Sequence, residues 1–161
     1  MGLKLTRMAE HRRLPHLRPY SAEPIVFLTV VTAQRRPILA CRPAFDALHA
    51  IWSRSPEVDG WSVGDFLLMP DHVHLFTRGG RDAKPLAAWV RTWKSLSTRA
   101  LKSAMPIDGS LWQRDYFDRF LRSADNYSEK WDYVANNPVR KGLCATPEEW
   151  SWKARLVDLT F

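Results

Sequence analysis

Cysteine is nearly absent. Cys41 and Cys144 are the only two in 161 residues, too few for a disulfide framework or a zinc ribbon. Glycine is sparse as well, at seven residues, and none of them builds a Gly-rich phosphate loop. No serine nucleophile elbow and no CxxC pair occurs either, which removes three common catalytic designs. Apolar runs fall well short of the roughly 20 residues that span a bilayer, so no membrane association is expected. No continuous apolar segment follows the basic residues Arg12 and Arg13, so no secretory signal is read there. A reducing, cytoplasmic setting is the expectation. Acidic residues are also in deficit: 17 Asp and Glu against 24 Lys and Arg leave a net charge of +7. That balance favours polyanionic partners through counterion release, although basic proteins without such partners are common.

With 45% hydrophobic and 25% charged residues, the chain has the composition of one ordinary globular domain. Residues 1–23 form a basic arm in which Lys4, Arg7, Arg12, Arg13 and Arg18 occur among prolines. Residues 24–161 are expected to fold as a single unit. Residues 24–32, PIVFLTVVT, are apolar and β-branched on both faces, as in a central strand. Phe45, Leu48, Ile51 and Trp52 recur at helical spacing behind Pro43. The turn Asp59-Gly60 precedes strand-like text over 61–69, and Pro70-Asp71 makes the corner of a hairpin whose second strand reads HVHLFTR.

A long helix is predicted over 83–104, with Leu86, Trp89, Val90, Trp93, Leu96 and Ala100 on one stripe. Arg91, Lys94, Arg99 and Lys102 lie on the other side. A strand over 116–121 follows. A last helix is capped by Ser123 or Asp125 and ended by Pro138 and Gly142, and a short tail completes the chain. The order β-α-β-β-α-β with an extra C-terminal helix is an α+β, ferredoxin-like antiparallel layout.

Two groups of residues carry potential chemistry. His72 and His74 are two apart on a strand, hence on one face, where two imidazoles can share a cation if a third ligand approaches. Taken alone, the pair reads more readily as ordinary histidines at a hairpin corner. In residues 125–139, DNYSEKWDYVANNPV, Tyr127, Trp131, Val134 and Ala135 cluster on one helical face. Tyr133 and Asn137 are four apart, away from that stripe. Tyr127 therefore reads as core, whereas Tyr133 is either an exposed aromatic or a nucleophile. Asn137 is either a helix-end cap or a ligand.

A phenol near pKa 10 attacks phosphorus poorly unless activated, and a divalent cation on the phosphate supplies that activation. Two imidazoles and an amide oxygen suit Mn²⁺ and are compatible with Mg²⁺. Among the eight tryptophans, Trp89, Trp93 and Trp131 fall on apolar stripes. Trp112, Trp150 and Trp152 are open to a role in stacking bases.

Read jointly, MPDHVHLF (69–76), LWQRDYFDRFLR (111–122), WDYVANNPVRKGL (131–143) and EEWSW (148–152) resemble the REP-associated tyrosine transposases. These are single-strand transposases with a histidine-hydrophobe-histidine motif, and the likeness runs from about residue 27 to residue 152. The resemblance implies Tyr133 as nucleophile and His72, His74 and Asn137 as metal ligands, with Mg²⁺ or Mn²⁺ as the ion. It implies cleavage and rejoining of single-stranded DNA at hairpin-forming palindromic repeats through a 5′-phosphotyrosine, without a nucleotide cofactor. Arg12, Arg13, Arg91, Lys94, Arg99, Trp112 and Arg119 are the candidate DNA contacts. The alternative is a catalytically inactive nucleic-acid-binding module on the same type of sheet. Either a monomer or a dimer is compatible with the sequence.

Overall fold

The structure, a computed structural model, describes residues 23–161. The basic arm at 1–23, with its candidate contacts Arg12 and Arg13, lies outside the described residues apart from Glu23. A five-stranded antiparallel sheet organises the fold. Strand β1 (Ile25–Val31), helix α1 (Arg42–Val58), strands β2 (Trp61–Leu68) and β3 (His72–Gly79), helix α2 (Leu86–Ala104) and strand β4 (Phe117–Leu121) follow the predicted order. Helices α3 (Ala124–Ala135) and α4 (Asn137–Arg140) come next, and strand β5 (Lys153–Arg155) is last. The spatial order is β4-β1-β3-β2-β5, a ferredoxin-like sheet with one strand added beside β2.

Strand β1 is apolar on both faces because both faces are covered. Val26, Leu28 and Val30 pack into the larger core beneath α1 and α2, with Trp52, Trp89 and Trp93. Ile25 and Phe27 point the other way, into a second core with Phe76, Leu121 and Val134 of α3. Side-chain alternation along β3 obeys the same division: Val73 and Leu75 join the first core and Phe76 the second. The α3 layer is therefore the face onto which His72 and His74 project.

Three local features differ from expectation. Pro138 does not end the helical path. Helix α3 stops at Ala135, and Pro138 falls in the first turn of α4, where its missing N–H removes no hydrogen bond. Gly142, at φ 71°, makes the actual reversal. The tail is not merely a tail, since residues 153–155 pair with Asp65, Phe66 and Leu67 at the edge of β2. Strand β2 also carries one extra residue: Val63 lies opposite Thr77 and Phe66 opposite Leu75, so Gly64 and Asp65 together face Phe76. This bulge places both residues toward α3. A Cβ on Gly64 would lie 2.8 Å from Leu159 and 3.1 Å from the Tyr127 hydroxyl. Asp65 accepts from that hydroxyl at 2.6 Å and from Arg155 through two bonds of 3.0 Å.

Candidate active site

The ladder between β1 and β3 sets Thr29 opposite His74 and Val31 opposite His72. The Nε2 atoms of His72 and His74 are 3.1 Å apart. The Asn137 carboxamide nitrogen is 3.3 Å from each of them. An amide's nitrogen and oxygen exchange places by rotation, so the same position can present Oδ1 to the point where the imidazoles meet. The three expected ligands thus converge, drawn from a strand and from a helix more than 60 residues further along the chain. Among the described residues no group of three His, Cys, Asp or Glu side chains makes another such cluster.

Both imidazoles are held from behind. Nδ1 of His72 lies 2.6 Å from Asp71 Oδ1, so this nitrogen carries the proton and Nε2 presents its lone pair. Nδ1 of His74 lies 2.8 Å from the Thr29 hydroxyl, which can accept its proton just as Asp71 accepts that of His72. Carboxylate and hydroxyl partners of this kind fix the tautomer and raise ligand basicity. Burial alone would raise the Asp71 pKa. The bonds from His72 and Arg35 outweigh that and hold the carboxyl below its ordinary value. Burial, then the positive charges of His72, Lys130 and Arg140, lower His74 from 6.5 to about 3. His74 is therefore neutral near pH 7, as a metal ligand must be. The donor set fits a divalent cation with mixed nitrogen and oxygen preference.

The depressed value has a consequence for the metal-free protein. Between pH 6.5 and about 3 the unfolded chain binds a proton at residue 74 that the folded site refuses. This contribution to stability is complete above pH 6.5 and is lost as the pH falls toward 3. Urea midpoints taken in chelator at pH 7, 5.5 and 4.5 should fall with acid, and less steeply for His74→Gln. Parallel curves for the two proteins would contradict the assignment.

Tyr133 is 60% exposed, as its position off the apolar stripe predicts. Two cations approach its ring: the Arg140 guanidinium stands 3.8 Å and the Lys130 ammonium 5.5 Å from its centroid. Lys130 also sits 4.7 Å from the ring of Phe27, which stacks on His74 at 5.4 Å. Tyr133 thus shares its cations with the histidine pair. Sequence reasoning missed Lys130, Arg140, Thr29 and Asp71. Lys130 and Arg140 were within reach, because they lie three residues before and seven after Tyr133, on one helical face. Tyr127 is half-buried against Phe76, and its hydroxyl is engaged by Asp65; burial and that bond raise its pKa.

The other candidate DNA contacts are dispersed. Arg91, Lys94 and Arg99 lie on α2, across the sheet from the histidines, and Lys94 spends its ammonium on the carbonyls of Gln113 and Arg114. Trp112 cannot stack a base. It is buried among Trp93 and its neighbours, with its indole N–H on Ser97. Trp150 donates to the Leu68 carbonyl and Trp152 packs on the larger core. Arg119 is exposed on β4. No helix among the described residues is long and apolar enough to cross a membrane.

A family model described as "Transposase IS200 like" matches residues 25–137. A Haemophilus influenzae protein assigned as a REP-associated tyrosine transposase is 23% identical over 96 residues, 54% of each chain. The chain therefore matches about half the length of that curated relative. Among solved structures, a REP-associated tyrosine transposase bound to a REP hairpin superposes with a TM-score of 0.69 at 20% identity. That likeness covers 91% of this chain and 82% of the other. A protein from Deinococcus radiodurans assigned as a transposase gives 0.54 at 23% identity, over 76% and 97%. At these identities the two structures establish a shared fold.

Proposed function

The chain belongs to the IS200-like transposase family, enzymes that act on DNA, and from that premise we propose that Tyr133 cuts and rejoins single-stranded DNA beside a divalent cation held by His72, His74 and Asn137. The observation that carries this reading is the meeting of two Nε2 atoms and one carboxamide at 3.1–3.3 Å, with Tyr133 one helical turn before the amide. Mg²⁺ or Mn²⁺ bound there would neutralise charge on the scissile phosphate. Asp71 and Thr29 hold the imidazoles with their lone pairs inward. Lys130 and Arg140, over the Tyr133 ring, draw a phosphate toward its oxygen. That oxygen forms a bond to phosphorus as the bond to the 3′-oxygen breaks. The phenol proton passes to water, and the departing oxygen takes a proton to become a free hydroxyl. Reversal of these steps rejoins the strand without a nucleotide cofactor.

The substrate proposed is a palindromic single strand folded as a hairpin, by analogy with the hairpin-bound relative. A module that only binds nucleic acid has no use for two imidazoles and an amide gathered beside a cation-flanked phenol. An RNA-recognition sheet would in addition need open aromatics on its central strands. Here Phe27 and Phe76 occupy those strands but are buried beneath α3.

The test is incubation with Mn²⁺ and a hairpin oligonucleotide whose cut leaves one fragment on each side, labelled at the 5′ end or at the 3′ end. The 3′-labelled fragment should become covalently attached to protein, and the 5′-labelled one should be released with a 3′-hydroxyl. Attachment of the 5′-labelled fragment would reverse the polarity, and no attachment with any divalent metal would favour the binding module.

A further inference from the structure

Among the described residues strand β4 pairs only with β1, at one end of the sheet. Of its five residues only Leu121 is buried. Phe117 lies opposite Thr29, and Thr29 lies opposite His74. Directly opposed residues project to the same face. Phe117, Thr29 and His74 therefore form a row across the α3 side of the sheet, about 10 Å from end to end at two strand spacings. In the adjacent row Arg119 lies opposite Phe27, whose ring carries Lys130 on one contact and His74 on another. Phe117 is 56% exposed. An exposed aromatic ring and an exposed guanidinium thus stand on the histidine face, on a strand with no outer neighbour among the described residues. Phe120 is exposed to a similar extent, at 52%, but lies opposite Val26 and so belongs to the other face. The one acidic residue of the strand, Asp118, also alternates to that other face.

We infer that Phe117 and Arg119 form a subsite for the unpaired strand that runs from the hairpin to Tyr133, with one base stacked on the Phe117 ring and a neighbouring phosphate on Arg119. This rests on the cleavage reading above. Single-strand tracks combine aromatic platforms with cations, because every base has a π face and every nucleotide a charge. Phe117 stands beside the histidine face, and Arg119, Lys130 and Arg140 on the same side select a polyanion. The subsite lies within a nucleotide or two of the histidines, so it would position the scissile phosphate rather than the stem.

Binding of the full chain to two labelled oligonucleotides tests this: one hairpin with single-stranded thymidine flanks and the same hairpin without them. Wild type should prefer the flanked hairpin. Phe117→Ala should weaken that complex about tenfold while leaving the blunt one unchanged, Phe117→Trp should restore it, and Phe120→Ala should match wild type. Arg119→Gln should reduce the salt slope on the flanked hairpin by about one. Equal affinity of Phe117→Ala and wild type for the flanked hairpin overturns the subsite. Equal loss on both oligonucleotides does so as well, and so does a dimer that Phe117→Ala converts to monomer in sedimentation. The adduct assay separates the two claims. An adduct with no Phe117 effect sinks only the subsite, whereas a Phe117 effect with no adduct from wild type leaves a binding strip and sinks the nuclease.

Discussion

Tyr133→Phe should fold and bind a hairpin as wild type does, yet lower covalent attachment by about 10⁴-fold or to the detection limit. The substitution removes one oxygen from a ring that is largely exposed, and the Arg140 and Lys130 contacts are to the ring rather than to its hydroxyl. Packing and charge are conserved, and the nucleophile is not. Tyr127→Phe is the matched control on the same helix, and its effect should be on stability. The lost hydroxyl donates to Asp65 and accepts from the Asp65 backbone N–H, so a buried carboxylate and a backbone donor each lose a partner. A cost of about 1–3 kcal/mol is expected, with attachment retained. A denaturing gel and a urea titration of each variant make the comparison. Attachment that survives in Tyr133→Phe and disappears in Tyr127→Phe would transfer the nucleophile to the other tyrosine.

The second large effect concerns the nitrogen donors. His72→Ala and His74→Ala should each abolish attachment at all divalent metal concentrations while hairpin affinity in chelator stays near wild type. Thr29→Val, which keeps the shape and removes the acceptor behind His74, should produce a graded loss. Partners of this kind are worth about 10–100-fold in metal affinity, so raising Mn²⁺ should rescue Thr29→Val and neither alanine variant. Isothermal titration with Mn²⁺ reads the same order directly. Equal loss of hairpin binding in the alanine variants would reassign the histidines to folding.

What could be read from the chain alone was whatever repeats locally. The run IVFLTVV, the corner Pro70-Asp71 and the stripe that begins at Leu86 each contain their own period, and the corresponding elements stand where the pattern puts them. Beyond Trp93, however, the buried face runs through Ser97 and Leu101 and leaves the expected Leu96 and Ala100 exposed. The histidine pair needed only strand alternation, and Tyr133 with Asn137 only a helical turn. Relations across the ladder had no such signature. Nothing near residue 29 marks Thr29 as the partner of His74, because that pairing is a matter of register between segments 45 residues apart. Trp112 resembles a base platform by composition, but a bridge to Thr32 and a bond to Ser97 draw it inside. Strand β5 is three residues long, too short for any period, and exists because the edge of β2 is there to receive it.

The extra residue in β2 divides the molecule into parts that tolerate change in length differently. Without Gly64, Asp65 alone would oppose Phe76, with Val63 still opposite Thr77 and Phe66 still opposite Leu75. The ladder would run unbroken and the α1 and α2 core would keep its side chains. Asp65, then opposite Phe76, would still project to the α3 face. What would change is the footing of the last helix at Gly64 itself, where the lack of a side chain lets Leu159 and the Tyr127 hydroxyl come within 2.8 and 3.1 Å of a Cβ position. A relative one residue shorter at this point can therefore share the entire sheet and still hold its tyrosine helix by other means. An alignment gap there marks a difference in how the helix is tethered, with no loss of common architecture.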